Sequence, residues 1–189
     1  MARPKSDDKR QAILDAALKI FAARGIAGAP TSAISREAGV AEGTLFTYFK
    51  TKDDLLNALY QELRMEFSRH LNNFPYDKDA RTRLHFIWHK FLQLGAAHPE
   101  QLKVLAQLRT SGKLLRSNET PSFAVIEIMK CLSEATEASA LASLPAEYMV
   151  LMIRAQLEVT VEFINANPGN AAACGESGFQ MLWGGLTAK

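Results

Sequence analysis

Apolar residues recur along this chain every three to four positions, in blocks separated by glycine, proline and short polar runs. That period places them on one face of a helix, and no stretch alternates with the period of two that a strand would need. The first block, with the stripe Ile13, Leu14, Ala17, Leu18 and Phe21, predicts a helix from about residue 6 that Gly25 ends. A short helix follows over 31–38, with Thr31 as its cap and Ile34 inward; a second short one over 41–49 turns Leu45 and Phe49 inward at i, i+4. Thr51 and Asp54 have the spacing of a capping pair and open a longer helix whose apolar face runs Leu55, Leu56, Leu59, Tyr60, Leu63, Phe67, Leu71. Phe74-Pro75-Tyr76-Asp77 breaks the pattern. Further helices are expected over 79–97, over 99–111 with proline at the first position, from a Thr120-Pro121 cap through Leu132, from Pro145 through Ile164, and over 171–186. The expectation is an all-α chain of about nine helices.

The two short helices carry the chemistry. They are joined by Gly39, which can take the left-handed conformation a tight turn requires, and by Val40, an apolar wedge. Two short helices around such a turn form a helix-turn-helix, whose second helix enters the DNA major groove. Its outward residues suit that role. The missing side chain of Gly43 permits close approach to the backbone of DNA, and Thr44 and Thr47 can hydrogen-bond base edges or phosphates. The Tyr48 hydroxyl suits a phosphate oxygen, and Lys50 and Lys52 add positive charge beside the strand. Glu42 is discordant, since a carboxylate near phosphates is repelled unless it accepts from a cytosine amino group or stays in solvent.

Residues 7 to 64 resemble the amino-terminal domain of the TetR family of transcriptional regulators. The resemblance is carried by Ile13, Ala16, Ala17, Phe21, Gly25, Thr31, Ile34, Ala38-Gly39-Val40, Gly43-Thr44-Leu45, Tyr48-Phe49, Lys52 and Leu55-Leu56. The segments 1–6 and 38–46 are similar to those of drug-responsive repressors of that family. The chain departs from the family pattern at Ala41, where a capping serine is usual, and at Phe46, where a tyrosine is. The resemblance implies a three-helix helix-turn-helix domain over residues 1–52, and a larger helical domain over 53–189 that binds an effector and dimerises. It also adds Ser32 and Phe46 to the residues expected at DNA. For the ligand half it implies that Tyr60, Trp88, Met129 and Ile153 surround an effector pocket, with Arg64 and Glu158 as charges that orient a ligand. The partners so implied are a palindromic double-stranded operator, a small hydrophobic or cationic effector, and a second copy of the chain docked through the last two helices. Similarity to drug-responsive repressors extends this to control of multidrug efflux genes.

Charge distribution points the same way. The net charge of the chain is +2, but residues 1–52 hold nine Lys and Arg against five Asp and Glu, and residues 116–189 hold four against eight. Arg3, Lys5, Lys9 and Arg10 form a basic arm able to reach phosphates or a minor groove. The acidic half disfavours nucleic acid and tolerates a cationic ligand. The two cysteines, Cys131 and Cys174, have no paired spacing, which suits a reducing compartment. No apolar run approaches the ~20 residues that span a bilayer, and the amino terminus lacks a signal-peptide core, so a cytoplasmic protein without membrane association is expected.

Enzymatic chemistry finds little footing. There is no glycine-rich phosphate loop, nucleophile elbow or HExxH motif. His85 and His89 stand at i, i+4, but no Cys, Asp or Glu at a suitable spacing completes a metal site, so they read as ordinary helix histidines. No catalytic residue, metal or cofactor is expected. Two other classes remain open: a DNA-binding regulator without a small-molecule effector, and a ligand carrier or enzyme that has lost DNA binding.

Overall fold

In a computed structural model, which describes residues 5–114, 121–137 and 144–188, the described residues are helical, with no strand among them. The helices are α1 (Lys5–Arg24), α2 (Thr31–Glu37), α3 (Glu42–Tyr48), α4 (Lys52–Arg69), α5 (Ala80–Ala97), α6 (Pro99–Thr110), α7 (Phe123–Thr136), α8 (Ala146–Ala166) and α9 (Ala171–Thr187), with a single 3₁₀ turn at Pro168–Asn170 before the last. Local sequence explains most of the boundaries. Thr51 and Asp54 cap each other reciprocally, the Asp54 amide donating to Thr51 Oγ1 and the Thr51 amide to Asp54 Oδ2, both at 3.0 Å. Asp79 caps α5, its Oδ1 accepting from the Thr82 amide at 2.7 Å.

Two starts differ from the sequence reading. Ser122 caps α7, accepting from the Val125 amide, where Thr120-Pro121 had been expected; Thr120 lies outside the described residues. Ser122 wins because its hydroxyl stands three residues before an amide of the first turn. At α2 the cap position is held by Pro30 and Thr31 is already helical, so its hydroxyl is free for another use.

The chain divides into two compact units, Met1–Arg64 with Glu100–Glu119 and Met65–Pro99 with Thr120–Lys189, the boundary falling inside α4. The first unit has a core of Ile13, Leu14, Ala17, Phe21, Ile34, Leu45, Leu55, Leu56 and Leu59, to which α6 adds Val104 and Leu108. The unit therefore extends beyond residue 52. α6 is further fastened by Lys103 Nζ, which donates to the Ala22 carbonyl at 2.9 Å, and the residues after it by Asn57, whose amide donates to the Lys113 carbonyl.

In the second unit α5 packs on α7, α8 and α9. Its anchor is Trp88, 1% exposed, whose indole N–H donates to the Gly175 carbonyl at 2.9 Å. Such a bond requires α9 to come very close to α5. A Cβ at Gly178 would stand 2.9 Å from Trp88 Cζ2 and 3.3 Å from Thr160 Oγ1, so only glycine fits there without moving the indole. A second aromatic cluster forms where Phe74 meets Tyr76, Phe86 and Phe123 edge to face, with centroids at 4.9, 5.7 and 5.4 Å.

Candidate nucleic-acid interface

α2 and α3 are each a turn or two long and hold together only through the core beneath them: Ile34 and Leu45 are fully buried and Phe49 is 4% exposed. Between them Gly39 adopts φ +67°, a conformation that side-chained residues rarely adopt, and the Val40 amide closes the turn onto the Ser35 carbonyl at 3.0 Å. The outcome is a helix-turn-helix with its inner faces committed to packing.

Ser32, Glu42, Gly43, Phe46, Thr47 and Lys50 are exposed, and Thr44 and Tyr48 are half-buried. Gly43 has open space where a Cβ would be. Thr47 Oγ1 donates back to the Gly43 carbonyl at 2.9 Å, which fixes its rotamer and leaves the oxygen's lone pairs facing outward chemistry as an acceptor. The Tyr48 ring packs against the edge of the core, so it is a structural residue as well as a candidate contact. Glu42, discordant in the sequence, has a partner: Thr31 Oγ1 donates to Glu42 Oε1 at 2.8 Å and ties the start of α2 to the start of α3. Arg10 joins the region, its guanidinium lying 5.7 Å from the centroid of the Phe49 ring.

Lys52 requires a correction. Expected beside DNA phosphates, its ammonium instead donates to the carbonyls of Ile26 and Ala29, each at 2.7 Å, and lies 5.9 Å from the centroid of Phe21. Burial draws its pKa below the ordinary lysine value, with Asp53 opposing the shift. The side chain clamps the loop between α1 and α2 onto the start of α4 because those carbonyls have no helical partner of their own. Arg3 lies outside the described residues, and Lys5 opens α1.

The residues expected around an effector are distributed over both units. Tyr60 and Arg64 lie in the first, where the guanidinium stands 5.4 Å from the Tyr60 ring centroid and Tyr60 is itself 7% exposed. Trp88, Met129, Ile153 and Glu158 lie in the second. Trp88 and Ile153 are closed off in packing, and Met129 and Glu158 are half-buried.

The last two helices present an apolar groove of about 600 Å³, lined by Met152, Val159, Phe163, Thr160, Gly178 and Met181 among others. Within it Val159 is 66% and Met181 74% exposed. Phe179 and Leu182 are buried, and Gly175 and Gly178 serve the approach of α9 to α5. Sequence periodicity could not separate these faces, because both sides of α9 are apolar. A residue missed altogether is Glu176, whose carboxylate the fold carries to His85 and His89. No helix of the described residues is long and apolar enough to cross a membrane.

Comparison with known proteins agrees with this architecture. Residues 13–59 match the model of the bacterial regulatory proteins, tetR family. The chain is 33% identical over 110 residues to the fatty acid metabolism regulator protein of Bacillus subtilis, covering 57% of each. It spans between about a third and somewhat over half of the length of the first curated relatives it matches. A putative tetR family transcription regulator from Shewanella sp. PV-4 superposes with a TM-score of 0.83 at 26% identity, over 94% of this chain and 97% of that one. The transcriptional regulator FadR from Bacillus subtilis, solved with stearoyl-CoA, superposes with a TM-score of 0.66 at 20% identity, over 93% and 98%. Relatives and fold are those of transcription regulators, which are not enzymes. Residues 13–59, within α1 to α4, are thus similar to the tetR family of bacterial regulatory proteins, and the chain carries the fold of TetR-family transcription regulators.

Proposed function

We propose that the chain is a homodimeric repressor that binds a palindromic operator and is released by a small molecule. The observation that carries this reading is the outer face of α3, where Gly43, Thr44 and Thr47 leave polar groups and an open approach, over inner faces that are fully packed. Ser32, Phe46, Tyr48 and Lys50 complete the DNA contacts, with Arg3 and Lys5 as the basic arm. Lys52 holds the loop behind them. Residues 1–52 act as the DNA-binding domain and 53–189 as the effector and dimerisation domain, in the cytoplasm where the operator is. Two copies of α3 address half-sites one helical turn apart, roughly 34 Å, or a multiple of it.

The second copy docks on the groove between α8 and α9. A groove this apolar, with Val159 and Met181 more than half exposed, resembles the open face of a helix pair whose other half is a partner. The effector is hydrophobic or cationic and is met in the second unit, where Met129 and Glu158 of the expected set are half-buried. The similarity of segments 1–6 and 38–46 to RamR, a drug-responsive repressor, supports amphipathic drugs and efflux genes. The similarity to a fatty acid regulator, and to a fold solved with stearoyl-CoA, supports a long acyl thioester.

The test is fluorescence anisotropy with the DNA upstream of the chain's own gene, across a salt series, for the wild type and Tyr48→Phe. That substitution removes one hydroxyl and keeps the ring that packs on the core. Expected are a steep loss of affinity with salt, weaker binding by the variant at unchanged helicity, and release by a cationic drug or an acyl-CoA from a panel of both. Salt-independent binding would sink the DNA-binding reading. Undiminished affinity with every ligand at saturation would leave a regulator without effector.

A further inference from the structure

α5 and α9 bring three side chains together that the proposed repressor does not use. His85 Nε2 lies 2.9 Å from Glu176 Oε2, His89 Nε2 lies 3.0 Å from His85 Nε2, and His89 Nε2 lies 3.7 Å from Glu176 Oε2. We infer that His85, His89 and Glu176 form a binding site for a divalent transition metal ion of the zinc class, clamping α9 to α5 and leaving a coordination position open to solvent.

The first argument is one of satisfaction. Three atoms converge, yet two neutral imidazoles supply at most one hydrogen each, and the single hydrogen that His85 Nε2 can carry cannot serve both Glu176 and His89 well. A cation at the centre removes the conflict, because each of the three then offers it a lone pair. The second is size. The three separations leave a point about 1.9 Å from every ligand atom, just inside the ~2.0–2.1 Å of zinc bonds to nitrogen and carboxylate oxygen, so an ion sits slightly out of their plane with little movement of the side chains. Two imidazoles and one carboxylate are also the donor set that suits zinc and its first-row neighbours, and one that magnesium and calcium, which prefer all-oxygen shells, do not seek.

The surroundings are built in the same sense. Gln180, one turn along α9, donates to the other oxygen of Glu176 at 2.6 Å, and Arg81 Nη2 donates in turn to Gln180 Oε1 at 3.2 Å, so the carboxylate is held in orientation. The His85 ring is fixed edge-on against Phe179, with centroids 4.5 Å apart. The side chains of His85, His89 and Glu176 keep 33%, 43% and 49% of their exposure, so an ion can enter and a water can complete the shell.

The experiment uses the tag-free 189-residue chain stripped with a chelator and titrated with ZnCl2, with MgCl2 as the control ion, by calorimetry and thermal melting. Expected are one zinc per chain, a rise in Tm that magnesium does not give, and, of the four histidines, perturbed imidazole NMR signals for His85 and His89 alone. His89→Ala and Glu176→Gln, each checked for helicity, should lose the saturable binding; Gln180→Ala should weaken it about 10- to 100-fold. Cys174→Ser should leave it unchanged, which excludes the thiol two residues before Glu176 as the ligand. No zinc uptake at millimolar concentration, perturbation of His70 or His98 instead, or undiminished binding by both ligand variants would each overturn the assignment. The NMR readout on the wild type decides the matter even if the variants fold poorly.

Discussion

Lys52→Met separates two jobs that the sequence alone would merge. Methionine keeps the apolar stem of lysine and removes the ammonium, which donates to the Ile26 and Ala29 carbonyls at 2.7 Å. A hydrogen bond from a charged group contributes about 1.5–3 kcal/mol when its surroundings exclude water. Lys52 is only half-buried, so water competes for both carbonyls and for the ammonium, and the pair together is worth roughly 2 kcal/mol. In a chain of this size each kcal/mol moves Tm by about 2–4 °C, so the variant should melt about 4–8 °C lower. Operator affinity should fall only as far as the loop loosens. The slope of log K against log salt should not change, whereas loss of a true phosphate contact would reduce it by about 0.9. Circular-dichroism melting and an anisotropy salt series measure the two quantities independently. A Tm within 1 °C of wild type together with a shallower salt slope would refute the clamp and return Lys52 to the DNA.

Two further predictions concern the second unit. Met181→Glu places a charge in the α8–α9 groove; covering it with a second copy should cost about 2 kcal/mol, roughly 30-fold in the dimerisation constant, read as monomer by size-exclusion chromatography with light scattering. An unchanged dimer would move the interface elsewhere. Cys131 is fully buried, and burial pushes its thiol up to about 11, so maleimide at pH 8 should leave it unlabelled until denaturant is added. Cys174, which lines the groove, should label faster in Met181→Glu than in wild type, and equal rates would count against coverage of the groove.

Much of the helix-turn-helix unit was legible in the sequence because its determinants are local. The period of apolar residues placed α1 to α4, Gly39 marked the turn, and Thr51 with Asp54 marked the start of α4, all within a few residues of the structure they form. Where local signals were degenerate they misled: Thr120-Pro121 also reads as the start of α7, but the hydroxyl that accepts from the Val125 amide is that of Ser122. Pairings distant in sequence left no local mark. The carbonyls that claim Lys52 are 23 and 26 residues away, and Glu176 meets a histidine 91 residues before it.

By itself, then, the order of residues settled that the chain is helical and that its amino-terminal part carries a helix-turn-helix, since hydrogen bonds within a helix and the steric limits of a turn are properties of neighbours. Folding in three dimensions decided which lysine is a clamp, that Glu176 joins two histidines, and which side of α9 is core. Those outcomes depend on which helix faces are buried against one another, and burial is shared among segments that no short stretch of sequence contains.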